Sequence, residues 1–326
     1  MFNDKLSKIS TTVKDELKIF QDFYHESMKS KVGLIDLIVR YIIRQKGKKI
    51  RPLLVILSSK ISGGVNERTY RGAVLVELLH TATLIHDDVV DNADKRRNFW
   101  SINRVFKNKV SVLMGDYLLS RGLLLSVENK DYDFLGVITN SVKRMSEGEL
   151  LQIQKTRKLD ITEETYFQII SDKTASLIET CCLIGAMSAT DNEQYINALK
   201  SFGHNLGMSF QIRDDILDYE GHSFLMGKPV GGDIKEKKIT LPLIYSLNKV
   251  SKADADSIRK KLKNKNDKST VKEIIEFVRQ NNGIEYAYKV SLEFAAKAKS
   301  SLKIFNDSET KIALEYLIDF VTERKN

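Results

Sequence analysis

Apolar residues recur along most of this chain at the spacing of a helix rather than that of a strand. Near the N-terminus they follow one another at intervals of three and four, which places them on one helical face. This stripe consists of Leu6, Ile9, Val13, Leu17, Phe20 and Phe23. The same periodicity predicts helices over residues 69–91, 110–128, 131–156 and 192–219, and several amphipathic helices over residues 253–323.

Local signals mark further helix starts and one long break. Pro52 in "GKKIRPLLVILSS" suits a first helical turn, and Thr162 precedes an acidic first turn. No segment alternates convincingly at the period of a strand. The glycine-rich segment "GKPVGGDIKEKKITLP", residues 227–242, is predicted to be a functional loop. Because nothing in the composition marks a domain boundary, we predict a single all-α domain over residues 1–326.

Composition narrows the class of protein. The chain has 326 residues, of which 42% are hydrophobic, and is therefore expected to form a large core. Its net charge of +9 is interpreted as a lysine-rich surface that also suits an anionic substrate. No basic stretch is interleaved with aromatic residues, so no nucleic-acid partner is predicted.

The composition also bears on the cellular compartment and on membrane association. The adjacent Cys181 and Cys182 are predicted to be buried free thiols in a reducing compartment. We find neither a signal peptide nor an apolar run of membrane-spanning length, and expect a cytoplasmic protein with at most peripheral membrane contact.

Two acidic motifs stand in apolar helical surroundings. "DDVVD" contains Asp87, Asp88 and Asp91, and "DDILD" contains Asp214, Asp215 and Asp218. Residues four apart share a helical face, so each motif presents two carboxylates to one spot. If the two helices face each other, these hard oxygen ligands suit Mg²⁺, which shares its coordination shell with substrate phosphates. The alternative is a pair of unrelated, solvated helix ends.

Basic residues accompany both motifs. Any one of them alone is more simply read as a solvated surface group. Together they are typical of a site that binds a diphosphate through Mg²⁺ and fixed cations. They are Arg96 and Arg97 after the first motif, Lys48, Lys49 and Arg51 in "GKKIRP", Lys173 in "SDKTAS", and Lys228 and Lys238 in the glycine-rich loop.

In these features the chain resembles the all-trans polyprenyl diphosphate synthases. The resemblance runs from "GKKIRP" through "HTATLIHDDVVDNADKRR", "EGELLQ", "SDKTASL" and "FQIRDDILDY" to "GKPVGGDIKEKKITLPLI". It implies an isoprenoid-synthase-type helical bundle around a deep central cavity, usually dimeric. It also implies head-to-tail condensation of isopentenyl diphosphate with an allylic diphosphate, dependent on Mg²⁺ with Mn²⁺ as a possible substitute.

The resemblance assigns a role to individual residues. For the metal and the chemistry it implies Asp87 and Asp91 in the first motif and Asp214 in the second, supported by Asp88, Asp215 and Asp218. For isopentenyl diphosphate it implies Lys48, Arg51, His80 and Arg97. For the allylic substrate or its departing diphosphate it implies Arg96, Lys173, Thr174, Gln211, Lys228 and Lys238.

One segment departs from the family pattern. The arginine pair is usually followed by glycine, a small residue, proline and serine or threonine, whereas this chain reads "RRNFWS" with its only tryptophan, Trp100. Three other functions compete with the resemblance. They are a His-Asp phosphohydrolase around His80, His86 and Asp87, an ionising terpene cyclase, and a non-catalytic subunit of a synthase. None of them accounts for both aspartate motifs together with "GKKIRP".

Product length is predicted from the residues before the first motif. Thr83 lies one helical turn before Asp87, and the resemblance places Ala82 beside it in the wall of the product tunnel. Related short-chain enzymes carry bulky aromatic residues there. Both residues are small here, so we expect a deeper floor near Val76 or Leu79 and a heptaprenyl to octaprenyl product. The alternatives are a farnesyl or geranylgeranyl product, and small residues that merely allow close helix packing.

Overall fold

Helices account for nearly all the regular structure in the computed structural model, which describes residues 9–45, 47, 49–96, 99–220, 231–264 and 267–323. The helices in the first half are α1 (Lys14–Ser27), α2 (Gly33–Arg44), α3 (Ile50–Ser62), α4 (Glu67–Val90), α5 (Ile102–Glu128) and α6 (Tyr132–Lys158). They continue as α7 (Glu163–Ile170), a π-helical turn (Ser171–Ala175), α8 (Ser176–Ala189), α9 (Glu193–Glu220) and α10 (Gly232–Lys235). The remainder is α11 (Leu241–Lys249), α12 (Lys252–Asn264), α13 (Lys268–Gln280), α14 (Gly283–Ser301), a 3₁₀ turn (Leu302–Ile304) and α15 (Glu309–Thr322). The predicted all-α class is confirmed.

Helix α4 is the central element of the first half. It begins with a capping box, in which the Asn66 side chain accepts from the Thr69 N–H and the Thr69 hydroxyl accepts from the Asn66 N–H. Its middle is buried on nearly every side by α3, α5 and α8, as expected for a helix that is apolar all round. Its C-terminal end, with the first acidic motif, reaches solvent again. The buried part of α4 therefore places "DDVVD" at an exposed edge of the protein.

The predicted boundaries hold for the long helices, with two local differences. The helix expected from residue 110 already begins at Ile102, and its backbone is non-helical at Lys107. A short hairpin that the periodicity did not predict pairs β1 (Lys95–Arg96) with β2 (Phe99–Trp100). The Tyr41 hydroxyl donates to the Trp100 carbonyl at 2.7 Å, which ties this hairpin to α2. The tryptophan of the atypical segment therefore lies in a strand that is tied to α2.

The N-terminal stripe is only partly confirmed. Ile9, Val13 and Phe20 are fully buried, and Leu6 lies outside the described residues. The prediction for Phe23 is wrong, since it is 39% exposed and its ring stacks on that of Tyr70. Tyr24 is buried in its place, four residues after Phe20. Phe23 and Tyr24 are adjacent on α1, so a difference of one position along the helix is enough to turn a side chain away from the core.

Helix α5 exposes an apolar face. Five of its large apolar residues are at least 41% exposed, namely Val105, Val112, Leu113, Leu124 and Val127. By length and composition alone this helix is long and apolar enough to cross a membrane. The expectation from the sequence concerned uninterrupted apolar runs, and Lys107, Lys109, Asp116 and Arg121 interrupt the apolar residues of this helix.

Candidate active site

The first acidic motif divides its three carboxylates between solvent and core. Asp87 and Asp91 are exposed at the end of α4, whereas Asp88 is only 3% exposed. Arg96 donates to the Asp88 Oδ1 through Nε at 2.7 Å and lies within 2.6 Å of it through Nη2. Asp88 therefore fixes the hairpin against α4, and Asp87 and Asp91 are the two carboxylates that a ligand can reach.

The electrostatic surroundings of Asp87 identify the residues that share its site. Partial desolvation raises the pKa of Asp87, and the negative charges of Asp91 and Glu149 raise it further. Lys173 and Arg96 oppose this increase of the pKa. Two further carboxylates and two cations, from the end of α4, α6, the hairpin and the π-turn, thus lie within electrostatic reach of Asp87. Such crowding of like charges is relieved by a bound cation.

The second motif uses two of its carboxylates inside the protein. Asp215 is buried and accepts from the Tyr166 hydroxyl at 2.7 Å and from Gln211 Nε2 at 2.8 Å. Burial and the charge of Asp233 raise the pKa of Asp215, and the two hydrogen bonds oppose that increase. Asp218 accepts from the backbone N–H groups of Gly232 and Asp233 at 2.9 and 3.1 Å. Asp214 is half-buried on the same helix.

Lys173 and Thr174 project from the π-turn between α7 and α8. Lys173 Nζ donates to Gln152 Oε1 at 2.7 Å and forms an ion pair with Glu149. The Thr174 hydroxyl donates to Gln211 Oε1 at 2.8 Å. The two neighbouring side chains therefore connect the turn to α6 on one side and to α9 on the other. Single π-turns inside helices are frequent at functional sites.

Close backbone packing holds this π-turn in place. A Cβ built on Gly148 of α6 would lie 3.1 Å from both Asp172 Cβ and Lys173 N. A Cβ built on Gly207 of α9 would lie only 2.6 Å from Ala175 Cα. Arg144 adds a hydrogen bond from its Nε to Asp172 Oδ1 at 2.8 Å. Helices α6 and α9 can approach the turn this closely only because both positions are glycine.

Lys238 joins the site from the chain after α10. Burial would lower the pKa of Lys238, but the hydrogen bond and charge of Glu236, together with Asp233 and Glu149, outweigh burial and raise it. Its Nζ lies 2.5 Å from Glu236 Oε2. Glu149 is thus within electrostatic reach of both Asp87 and Lys238. Helix α6 therefore lies between the first acidic motif and Lys238 of the glycine-rich segment.

The residues expected to bind isopentenyl diphosphate are only partly described. Arg51 is half-buried in the first turn of α3, and His80 is buried in the middle of α4. Lys48, Arg97 and Lys228 lie outside the described residues. Lys49 begins α3 with a left-handed backbone, and burial lowers its pKa against the opposing charge of Glu77.

The product-length residues occupy two different surroundings. Ala82 is 2% exposed and falls midway between Leu78 and His86 on one stripe of α4. That stripe packs on α5, where a Cβ built on Gly122 would lie 3.7 Å from Leu78 Cβ and one built on Gly115 only 2.2 Å from His86 Nε2. Thr83 is half-buried, and its hydroxyl donates to the His80 carbonyl at 2.9 Å.

Several residues of the site were missed by the sequence analysis. "EGELLQ" was recognised as a motif, but neither Glu149 nor Gln152 was given a role. Tyr166 and Asp233 were not singled out, because a partner supplied by another helix leaves no trace in local spacing.

Both predicted free thiols are buried as expected, and burial raises the pKa of each, so Cys181 and Cys182 are unreactive.

The site offers few donors for a divalent metal. Within the described ranges, no three histidine, cysteine, aspartate or glutamate side chains are close enough to enclose an ion. The exposed carboxylates of Asp87 and Asp91 are nevertheless hard oxygen donors in a site with excess negative charge around Asp87. This arrangement fits Mg²⁺, which is held by one or two carboxylates together with waters and substrate phosphates.

Comparison with known proteins decides the family. The family model described as polyprenyl synthetase matches residues 32–278. The chain belongs to this family. An octaprenyl diphosphate synthase of Escherichia coli is 33% identical over 299 residues, which cover 92% of this chain and 93% of that protein. A short chain isoprenyl diphosphate synthase of Methanothermobacter thermautotrophicus is 35% identical over 290 residues, which cover 88% and 89%.

The solved structures agree with this family. A polyprenyl synthase from Caulobacter crescentus CB15, crystallised with calcium and isoprenyl diphosphate, has a TM-score of 0.90 to this chain at 29% identity, covering 98% of both chains. The chain is therefore a prenyltransferase of the polyprenyl diphosphate synthase class, with the all-α fold of that class. Membership sets aside the phosphohydrolase and terpene cyclase alternatives.

Proposed function

We propose that this polyprenyl synthetase condenses isopentenyl diphosphate head-to-tail with an allylic diphosphate, depends on Mg²⁺, and makes a long-chain product as a homodimer. The observation that carries the proposal is the meeting of Asp87, Asp91, Glu149 and Lys173 at one electrostatically coupled site. Carboxylates that repel one another there, beside a lysine, suit a diphosphate bound together with divalent cations.

Asp87, Asp91 and Asp214 are the residues that would hold the metal. Bound Mg²⁺ neutralises the negative charge that develops on the departing diphosphate. Asp88 instead holds the hairpin that carries Arg96, Asp215 holds Gln211, and Asp218 caps the short helix α10. The three supporting aspartates therefore act by positioning their neighbours.

Fixed cations bind and orient the allylic substrate. Lys173 and Lys238 each already have a carboxylate partner, which holds both side chains in place near the site. When the diphosphate leaves, Thr174 and Gln211 offer weakly nucleophilic oxygen atoms to the allylic cation. The cation needs such surroundings because water would capture it. The departing diphosphate is our candidate acceptor for the proton that the condensation releases.

Arg51 and His80, together with Lys48 and Arg97, are proposed to bind isopentenyl diphosphate. This substrate keeps its diphosphate throughout the reaction, so its cations need only orient it. The Ala82–Thr83 pair supports a long-chain product, as does the octaprenyl synthase among the relatives. A short-chain product remains the second candidate, because the short chain relative is slightly more similar in sequence.

One incubation tests the reaction and the product together. The purified chain is given labelled isopentenyl diphosphate, Mg²⁺ and one of several allylic primers, and the products are separated by chain length. We expect elongation in Mg²⁺ or Mn²⁺, none with a chelator, and products of seven or eight prenyl units. Farnesyl or geranylgeranyl products would reject the long-chain proposal, and the absence of elongation by the chain alone would reject the activity.

A further inference from the structure

Tyr166 is a buried phenol for which the proposed mechanism has no role. It lies on α7 with only 3% of its surface exposed. Its hydroxyl donates to Asp215 Oδ2 at 2.7 Å, across the interface between α7 and α9. A hydroxyl buried this deeply is costly unless it is paired, and here it is paired with a carboxylate of the second acidic motif.

Asp215 connects Tyr166 to Gln211, which lies at the reacting face of the site. Its second oxygen, Oδ1, accepts from Gln211 Nε2 at 2.8 Å. The other end of the same amide, Gln211 Oε1, accepts from the Thr174 hydroxyl at 2.8 Å. The four side chains form one continuous hydrogen-bonded chain across α7, α9 and the π-turn.

The chemistry of the groups sets the direction of each bond. The Tyr166 hydroxyl and the Gln211 NH₂ group both donate to Asp215, so Gln211 turns its NH₂ group towards Asp215 and its carbonyl towards Thr174. The Thr174 proton is then committed to Gln211. The oxygen lone pairs of Thr174 are left to face the substrate, and that oxygen presents negative rather than positive character to the allylic group.

We infer that Tyr166 is a positioning residue that fixes the Asp215 carboxylate and, through Gln211, the orientation of the Thr174 hydroxyl. Without the phenol hydroxyl, Asp215 keeps one of its two described donors and its carboxylate can rotate. Gln211 can then reverse its amide, and Thr174 can turn its proton towards the substrate. The inference rests on the proposed function, because it assigns Thr174 to the allylic site.

The chain offers a matched control for a lost buried phenol hydroxyl. Tyr219 is fully buried on α9, four residues after Asp215, in the same apolar cluster as Tyr166. Its hydroxyl pairs with the Thr240 hydroxyl at 3.1 Å rather than with the acidic motif. Tyr219→Phe therefore measures the structural cost of removing such a hydroxyl, separately from any effect on Asp215.

The experiment compares Tyr166→Phe, Tyr219→Phe, Thr174→Val and the double variant Tyr166→Phe/Thr174→Val. The readouts are kcat, the KM of each substrate, and the melting temperature without ligand. Binding of Mg²⁺ with inorganic pyrophosphate is measured by calorimetry. Tyr166→Phe is expected to lower kcat by about tenfold to a hundredfold, the range typical of removing a partner that orients a residue of a functional site.

The remaining results separate positioning from simple destabilisation. The two phenylalanine variants should lose similar melting temperature, but only Tyr166→Phe should lose kcat and bind Mg²⁺-pyrophosphate about tenfold more weakly. The KM for isopentenyl diphosphate should stay unchanged. The double variant should be no slower than Thr174→Val, because the two residues act through one chain of hydrogen bonds.

Equal kcat in the two phenylalanine variants would overturn the inference, as would additive losses in the double variant. Failure of the proposed function looks different, because the native protein would then form no elongated product. In that case the pyrophosphate measurement still tests Tyr166. Native protein that fails to bind Mg²⁺-pyrophosphate, or a Tyr166→Phe variant that binds it normally, overturns the inference.

Discussion

Asp87 shows how a single residue can oppose stability and support function. Because desolvation and neighbouring charges raise its pKa, the folded protein binds this proton more tightly than the unfolded chain does. Its contribution to stability therefore falls as pH rises from the ordinary value of 3.8 through the raised pKa, and it stays low at neutral pH. In metal-free protein at pH 7, Asp87→Asn should raise the melting temperature.

The same substitution should nearly abolish turnover, by about a hundredfold to a thousandfold, since it weakens charge stabilisation at the departing diphosphate. Calorimetry and a product assay on the same preparation check both effects. Asp22→Asn is the control, because Asp22 is an exposed carboxylate on α1. A lower melting temperature for Asp87→Asn than for the native protein at pH 7 would contradict this account of the site.

Ala82 is the residue whose size we expect to decide the length of the product. It is buried on the stripe of α4 that packs on α5, so an aromatic ring there has to enter the space between the two helices. Ala82→Phe should shorten the final product while leaving the first condensation largely intact, and overpacking should cost about 1–3 kcal/mol of stability. Chromatography of the products measures the length. An unchanged length would mean that other residues form the floor.

At the scale of the elements, the π-turn depends on how closely α6 can approach it. Gly148→Ala would place a methyl group 3.1 Å from Asp172 Cβ and Lys173 N, so the turn has to shift. We expect a severalfold higher KM for the allylic diphosphate, since Lys173 moves with the turn. Gly136→Ala on the same helix is the control, because a Cβ there meets nothing within 4 Å.

The control should itself become slightly more stable, by about 0.5–1 kcal/mol, because alanine favours a helix over glycine. Steady-state kinetics with each substrate varied in turn, and thermal unfolding of both variants, separate the two effects. Unchanged kinetics for Gly148→Ala would show that the π-turn tolerates displacement and that its contact with α6 does not position Lys173.

The same elements show how far the sequence could predict this site. Periodicity located the long helices, and the repeated aspartate spacing located both acidic motifs, because these signals are local. The sequence did not predict the π-turn, and the glycines on α6 and α9 that pack against it are distant from it in sequence. The spacing placed Asp87 with Asp91, and Asp214 with Asp218, on shared faces, but it could not show what Asp88 and Asp215 contact, because Arg96 and Tyr166 reach them from other elements.

At the scale of the whole molecule, the net charge of +9 has a local meaning as well as a global one. The carboxylates near Asp87 give the proposed metal site an excess of negative charge that a cation would offset, and Lys173 and Lys238 are the cations that we propose for the anionic substrate. A positively charged protein attracts diphosphates from a distance, and salt weakens this attraction. The global charge therefore supports substrate capture rather than the fold.

The exposed apolar face of α5 belongs to the same scale, because such a face on a long helix marks an interaction surface. We predict that two copies of α5 cover each other in the proposed homodimer. Leu113→Glu, at a residue that is 58% exposed, should then place two charges in a dry interface and convert the protein to a monomer at micromolar concentration.

Light scattering at several concentrations measures the mass in solution. Ile312→Glu on α15 is the matched control, since Ile312 is 48% exposed on a different helix, and it should leave the mass unchanged. If the native protein is a monomer, or if Leu113→Glu remains a dimer, α5 does not form the interface. Its apolar residues would then have to be covered by a different partner. Adding lipid vesicles to the same measurement would show whether that partner is a membrane.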